Sequence, residues 1–139
     1  MCIRDRPICD ALSIEHVGDY VEGVDFNAIS ADISGLSTRG AEMCDQRVCP
    51  MPFYMLRINP NGNCTPCCEL MLNFTLGNIS ETSIPAIWNG MKFNRFRRAM
   101  LDGVNNTTGV CKGCKIYKHA TCPEDILDNA IDRLKHIYL

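Results

Sequence analysis

The most informative pattern in the chain is a short apolar segment followed by a polar turn. Residues 53–58 (FYMLRI) are rich in side chains that favour strands. Residues 59–62 (NPNG) follow, and proline, glycine and asparagine suit the φ values that turns require. The pattern predicts a β-hairpin. The second strand of this hairpin leads to three closely spaced cysteines, Cys64, Cys67 and Cys68.

Further along, apolar positions recur at helical spacing. Ser83 is predicted to cap a helix with Pro85 in its first turn, because the missing N–H of proline needs no partner there. The apolar stripe of this helix comprises Ile84, Ile87, Trp88, Met91 and, after a slip in the spacing, Phe96, Met100 and Leu101. Gly103 is predicted to follow the end of the helix. The stripe predicts that the helix packs against the hairpin.

A second amphipathic helix is predicted over residues 123–139, beginning at Pro123. Its buried face would comprise Ile126, Leu127, Ala130, Ile131, Leu134 and Ile137. Its outward face would comprise Asp125, Asp128 and Asp132. We interpret this helix as a packing element and not as a source of chemistry.

Residues 1–40 show a weaker pattern. The first eight residues have neither a helix cap nor a periodicity, so we expect the sequence to begin inside a longer protein. A short helix is predicted within residues 14–33 and a strand over residues 24–29. Residues 34–40 (SGLSTRG) are small and polar, as is typical of a linker or loop.

Length and composition restrict the class of protein. A chain of 139 residues corresponds to one domain, or to one domain with a fragment of another. A hydrophobic fraction of 46% and a net charge of −2 are typical of a folded globular chain. No apolar run approaches the roughly 18 residues of a membrane span. No apolar stretch follows the basic residues at the start, so we expect a cytoplasmic protein without a signal peptide.

The charge distribution argues against nucleic-acid binding, because the chain is close to neutral. Arg95, Arg97 and Arg98 form a small basic group, which we interpret as a solvated helix face. The ten cysteines are the unusual feature of the composition. Without an export signal they favour metal ligands over disulfides. Asn-x-Ser/Thr triplets leave a secreted, disulfide-bonded protein as an alternative; they begin at Asn73, Asn78, Asn105 and Asn106.

The cysteines lie around the predicted hairpin and in a later Cys-x-x-Cys. Cys49 precedes the hairpin and Cys67 follows its second strand, so the fold-back of the hairpin allows the two to approach. Cys111 and Cys114 form the later pair, in which Gly113 is expected to permit a tight backbone turn. We therefore hypothesise that these four thiols surround one metal centre.

Two kinds of metal centre remain open on the residues alone. Zinc would use both Cys-x-x-Cys pairs in a tetrahedral site formed by Cys64, Cys67, Cys111 and Cys114. A [4Fe–4S] cluster also takes four thiolates, but it is larger and tolerates ligands that are spread along the sequence. Composition and spacing do not separate these two centres.

Several short motifs follow one another in order over residues 44–122. They are Cys49-Pro50-x-Pro52-Phe53, Asn61-Gly62, Cys67-Cys68, LGNI at 76–79, Ser83-Ile84, Ile87-Trp88-Asn89, Phe96-Arg97, Gly103 and Cys111-x-x-Cys114. Together they resemble the SPASM/Twitch auxiliary iron–sulfur domain, which follows the barrel of radical S-adenosylmethionine (radical SAM) enzymes. The ordered combination is far more specific than any one of its parts.

The resemblance implies a ligand set for one auxiliary [4Fe–4S] cluster, namely Cys49, Cys67, Cys111 and Cys114. It makes Cys68 a neighbouring residue that is not a ligand and places Cys64 on the hairpin strand. A second cluster would need further cysteines after Cys114, and only Cys122 follows. Seven residues separate Cys114 from Cys122, where the family has five. This departure favours a one-cluster, Twitch-like form and leaves the roles of Cys44 and Cys122 open.

The resemblance also implies an architecture. The fold would be α+β, with a small hairpin-and-helix cluster domain over residues 41–122. The remnant of a βα barrel, with its linker, would occupy residues 1–40, and the C-terminal helix would occupy residues 123–139.

The function that the resemblance implies is electron transfer or substrate positioning by the cluster in a radical SAM enzyme. The sequence has no Cys-x₃-Cys-x₂-Cys motif, with which the family cleaves S-adenosylmethionine. S-adenosylmethionine would therefore bind a missing N-terminal barrel, and we expect this chain to be inactive alone. Further expected partners are an electron donor or acceptor protein and a peptide substrate. The alternative function is a zinc-ribbon-like structural or binding module.

Overall fold

The computed structural model describes residues 23–25, 28, 35–38, 40–68, 74–107 and 109–138. The helix predicted within residues 14–33 and the barrel remnant lie largely outside this part of the chain. Of the strand predicted over residues 24–29, three residues are described, and none of these three is in a strand.

The described residues form a three-stranded antiparallel sheet and a set of short helices, which is an α+β arrangement. The strands are β1 (Arg57–Ile58), β2 (Asn63–Thr65) and β3 (Gly77–Asn78). The α-helices are α1 (Met51–Tyr54), α2 (Ile84–Trp88), α3 (Met91–Leu101), α4 (Val110–Gly113), α5 (Ile116–Ala120) and α6 (Ile131–Ile137). Single 3₁₀ turns lie at Val104–Asn106, Pro123–Asp125 and Asp128–Ala130. None of the described helices has the length and apolar character that a membrane span requires.

The predicted hairpin is present, but its first strand is shorter than the apolar segment suggested. Strand β1 pairs antiparallel with β2, with Ile58 opposite Cys64. The prediction of a strand at Phe53 is wrong, because this residue lies in α1. Pro50 and Pro52 begin that helix, and proline is well accommodated in a first helical turn because its missing N–H has no partner to lose there.

The hairpin turn depends on a glycine with positive φ. Gly62 has φ +82°, and its N–H donates to the carbonyl of Asn59 (2.8 Å). The side chain of Asn78, on β3, donates to the carbonyl of Asn61 (3.0 Å) and to Oδ1 of Asn63 (2.9 Å). A side chain of the third strand therefore stabilises the turn through hydrogen bonds. A Cβ at position 62 would lie 2.7 Å from Oδ1 of Asn78.

Replacing Gly62 by alanine is expected to destabilise the protein by roughly 1–2 kcal/mol, because an L-residue pays about that much in the left-handed region. Urea unfolding of the metal-loaded protein measures the change in the free energy of unfolding. Gly113→Ala is the matched control, since the φ of Gly113 is not positive and a Cβ there meets nothing within 4 Å. Equal stability of the two variants would contradict this account of the turn.

The single helix predicted from Ser83 to Gly103 is two helices. Ser83 is the N-cap of α2, and Gly90 is the N-cap of α3 with ψ 151°, so the chain leaves the helical conformation between them. A Cβ on Gly90 would lie 2.8 Å from the carbonyl oxygen of Ala86, which makes glycine the suitable residue for this break. The slip in the apolar spacing lies just after this break, between Met91 and Phe96. Gly103 follows the C-cap of α3 as predicted and has φ +113°.

The C-terminal helix begins later than predicted. Residues 123–130 form two 3₁₀ turns, and α6 begins at Ile131. Ile137 is 63% exposed, so its assignment to the buried face is wrong. Asp128 does not face outward freely, because its Oδ1 accepts a hydrogen bond from the N–H of Arg47 (2.9 Å). The predicted start at Pro123 is therefore wrong, because residues 123–130 form separate turns and not a continuous helix.

Two groups of buried side chains form the core. The first, which we call the cysteine-side core, comprises Val48, Met100, Leu101, Val104 and Tyr117. The second, the sheet-side core, comprises Cys64, Leu76, Ile87 and Phe93. Helix α3 contributes to both groups and connects them. Leu127, Ile131 and Leu134 pack against the cysteine-side core, as their predicted inward positions require.

Candidate metal centre

Four cysteines from three segments of the chain line one cavity, which Cys68 lines as well. Cys49 lies just before α1, and Cys67 lies just after β2. Cys111 belongs to α4, and Cys114 is the C-cap of the same helix. The cavity contains about 470 Å³ of space free of protein atoms, part of it open to solvent. The structure thus brings together the four thiols that the sequence singled out.

Apolar side chains form most of the remaining wall of the cavity. They are Met51, Pro52, Phe96, Met100, Val104, Val110, Ile116 and Tyr117. Such a wall offers few hydrogen-bonding groups to water, so it lowers the local dielectric around the sulfurs. A charge on one sulfur in this cavity therefore interacts strongly with charges on the other sulfurs.

The electrostatics of Cys49 show that the four thiols interact. Burial raises the pKa of the Cys49 thiol far above its ordinary value, and nearby Cys67, Cys114 and Cys111 raise it further. The backbone N–H of Met51 donates to the Cys49 sulfur and opposes this rise. Several thiolates in one apolar site repel one another. Their simultaneous ionisation therefore requires a positively charged centre among them.

Hydrogen bonds fix Cys49 beside the later cysteine pair. Gln46 lies three residues before Cys49, and Tyr117 lies three residues after Cys114. The Gln46 side chain donates to the carbonyl of Tyr117 (3.1 Å), and the Tyr117 hydroxyl donates to the carbonyl of Gln46 (3.4 Å). These reciprocal bonds tie the two cysteine-bearing segments together.

Further backbone contacts extend this connection. The N–H of Val104 donates to the carbonyl of Arg47 (2.8 Å), which joins the segment before Cys49 to the 3₁₀ turn after α3. Thr38, in the predicted linker, donates through its N–H (2.8 Å) and its hydroxyl (3.1 Å) to the carbonyl of His119 in α5. An exposed ion pair between Lys118 and Asp45 (2.8 Å) adds little, as surface pairs generally do.

Cys64 and Cys67 point to different parts of the molecule, although their spacing suggests a metal knuckle. Cys64 is fully buried in the sheet-side core and does not line the cavity. Cys67 follows the end of β2, where the hydroxyl of Thr65 donates to its carbonyl (3.1 Å). The ligand set of the zinc alternative, which needs Cys64, is therefore not brought together.

The other cysteines differ in their relation to the cavity. Cys68 is exposed and lines the cavity beside Cys67. Cys44 is exposed, and its sulfur lies 3.9 Å from the carbonyl of Glu42. Cys122 is half-buried at the start of a 3₁₀ turn. Neither Cys44 nor Cys122 belongs to the cavity wall.

The later Cys-x-x-Cys forms one turn of helix. Helix α4 contains Cys111, and its final N–H bond runs from Cys114 to the carbonyl of Cys111 (3.2 Å). Residues three apart share a helix face, which explains why both thiols reach the cavity. The prediction that Gly113 supplies the tight turn is wrong, since its φ is not positive; the positive φ (+66°) belongs to Gly109, the N-cap of α4.

The donor set fits an iron–sulfur cluster. Thiolates are the protein ligands of such clusters, and a [4Fe–4S] cluster takes four. The four thiols are distributed around the wall of a cavity that is otherwise mainly apolar. Within the described residues, no three His, Cys, Asp or Glu side chains are grouped as for a single metal ion.

A buried arginine next to this site was missed by the sequence reasoning. Arg97 is 1% exposed, so the prediction that it lies on a solvated face is wrong; Arg95 and Arg98 are exposed as predicted. Its Nε donates to the carbonyl of Pro52 (2.9 Å), and burial lowers the pKa of its guanidinium. The sequence contains a signal, because position 97 lies four residues after Phe93 and four residues before Leu101, and residues four apart share a helix face.

The SPASM family model, which describes an iron–sulfur cluster-binding domain, matches residues 49–115. These residues form a SPASM domain. The match begins at Cys49 and ends one residue after Cys114, so it includes all five cysteines that line the cavity, the four singled out above and Cys68. The resemblance recognised from the motifs is confirmed.

A curated relative adds a second comparison. The chain is 33% identical over 67 residues to the S-adenosyl-L-methionine-dependent 2-deoxy-scyllo-inosamine dehydrogenase of Niallia circulans. The aligned region covers 48% of this chain and 27% of that enzyme. The chain thus spans about a quarter of the length of this relative. The search of solved structures gave no significant match.

Proposed function

We propose that this SPASM domain holds one auxiliary [4Fe–4S] cluster of a radical SAM enzyme, ligated by Cys49, Cys67, Cys111 and Cys114. The observation that carries the proposal is the convergence of these four thiols on one mainly apolar cavity. The family match and the S-adenosylmethionine-dependent relative support it.

The bound cluster would supply one-electron transfer. With a thiolate on every iron, no coordination position is left for a substrate, so the site favours electron transfer over direct binding of substrate to iron. Phe96, Met100 and Val104 give the cavity wall beside the sulfurs its apolar character. The N–H of Met51 donates to the sulfur of Cys49 and partly offsets its negative charge. The chain's own residues thus offer a mainly apolar surrounding for a redox centre.

The reaction of the whole enzyme is proposed from the relative. Its name describes a dehydrogenase that uses S-adenosylmethionine and acts on 2-deoxy-scyllo-inosamine. We therefore favour oxidation of a small polar substrate, for which a cluster held by Cys49, Cys67, Cys111 and Cys114 would supply one-electron chemistry. A peptide substrate and a purely positional role for the cluster are the other expectations. In each case a separate S-adenosylmethionine-binding domain starts the chemistry, since this sequence lacks the Cys-x₃-Cys-x₂-Cys motif.

The proposed electron transfer is tested by reduction of the reconstituted chain under anaerobic conditions. Dithionite, or a stronger reductant of lower potential, is expected to bleach the visible absorbance and to produce an electron paramagnetic resonance signal from one unpaired spin per chain. A protein that contains iron and sulfide but resists every reductant would contradict electron transfer and leave only a positional role. A protein without iron would contradict the cluster itself.

A further inference from the structure

Arg97 is a buried cation that pairs with none of the carboxylates in the described part of the chain. Its side chain is 1% exposed, and its Nη2 has no hydrogen-bond partner among the residues that the structure describes. The other donors reach neutral oxygens, the carbonyls of Pro52 (2.9 Å) and Trp88 (2.7 Å) and Oδ1 of Asn94 (3.1 Å). A buried charge without an opposite charge is unfavourable. A nearby source of negative potential would therefore stabilise the buried guanidinium of Arg97.

Aromatic rings supply part of that potential. The guanidinium carbon lies 3.6 Å from the ring centroid of Phe93, 4.3 Å from that of Trp88 and 5.2 Å from that of Tyr138. Ring faces and carbonyl oxygens attract a cation, but each carries only a partial negative charge. They compensate incompletely for the loss of water around the guanidinium.

The guanidinium lies directly behind the wall of the cysteine cavity. Pro52, whose carbonyl accepts from Nε of Arg97, lines that cavity. Phe96 and Met100, which flank Arg97 on α3, line it as well. The positive charge is therefore hydrogen-bonded to one residue of the cavity wall, and helix neighbours of Arg97 supply two more.

We propose that Arg97 is the buried counter-charge of the iron–sulfur cluster and raises its reduction potential, an inference that rests on the proposed function. A [4Fe–4S] cluster with four thiolates is an anion, and reduction adds one further negative charge. A fixed cation in a medium of low dielectric stabilises the reduced form more than the oxidised form. The hydrogen bond to the carbonyl of Pro52 joins the cation to a residue of the cavity wall.

The test compares midpoint potentials of the reconstituted wild-type chain and four variants, by redox titration followed with electron paramagnetic resonance. Arg97→Met removes the charge, Arg97→Gln removes it but can still donate a hydrogen bond, and Arg97→Lys keeps it. Arg95→Met is the matched control, because Arg95 is an exposed arginine on the same helix. We expect more negative potentials for Arg97→Met and Arg97→Gln, a value nearer to wild type for Arg97→Lys, and no change for Arg95→Met.

The iron content of each variant separates the two ways in which the inference can fail. Wild-type protein without iron overturns the proposed function and this inference with it. Equal iron content and equal potentials in wild type and the neutral variants overturn the role of Arg97 alone. If Arg97→Met does not fold, the potentials of Arg97→Gln and Arg97→Lys are compared, because these two variants differ in charge while both retain a hydrogen-bond donor. Equal potentials in these two variants would overturn the role of the charge.

Discussion

Replacing Cys49 by alanine is expected to reduce the iron of the reconstituted protein from about four atoms per chain to a small fraction of one. Cys49 is the member of the proposed ligand set from the segment before α1, and the Gln46–Tyr117 bonds hold that segment beside the other thiols. Without its sulfur, one iron has no protein ligand. Iron and acid-labile sulfide, measured per folded chain, check the prediction.

Cys64→Ala is the matched control for this experiment. Cys64 is fully buried, as expected for a packing residue, but it lies in the sheet-side core and away from the cavity. We expect Cys64→Ala to keep its iron with some loss of stability. The opposite pattern, in which Cys64→Ala loses the metal and Cys49→Ala retains it, would favour the zinc-ribbon alternative and contradict the proposed ligand set.

Removing the cluster is expected to open α4 and α5 while leaving the sheet in place. Helix α4 has four residues, too few to be stable without tertiary contacts, and both of its cysteines face the cavity. Loss of the cluster empties the space that these helices pack around. Amide exchange in residues 110–120 should accelerate by about tenfold or more, which corresponds to about 1.4 kcal/mol of local stability.

Hydrogen–deuterium exchange of the loaded and the chelator-treated protein measures this effect. Residues 57–65 provide the internal control, because strand β2 places Cys64 in the sheet-side core. Unchanged protection of α4 and α5 would show that the cluster does not organise them. Equal loss of protection in the sheet would show that the two cores do not unfold separately.

The hairpin and the α+β class could be predicted because local residues determine them. The turn at residues 59–62 contains Gly62, and only glycine adopts φ +82° without strain. The start of the first strand could not be predicted as well, since Phe53 favours strands yet follows Pro50 and Pro52 into a helical turn. Strand β3 has two residues, too few to show the alternation of apolar and polar positions that predicts a strand.

The cysteines that line the candidate site could be predicted from the sequence, but the directions of the cysteine side chains could not. The Cys111-x-x-Cys114 pair is a strong local signal, and the hairpin explains why Cys49 and Cys67 approach. The spacing of Cys64 and Cys67 is equally suggestive, but their opposite directions depend on how β2 packs against α2 and α3. Arg97 was misassigned because its charge was given more weight than its place between Phe93 and Leu101 on one face of α3.

The content of iron, acid-labile sulfide and zinc in the anaerobically reconstituted wild-type chain is the most direct test of the central claim. The account predicts about four irons and about four sulfides per chain, with no stoichiometric zinc. One tightly bound zinc per chain without labile sulfide would contradict it, because the cavity formed by Cys49, Cys67, Cys111 and Cys114 would then not be a cluster site.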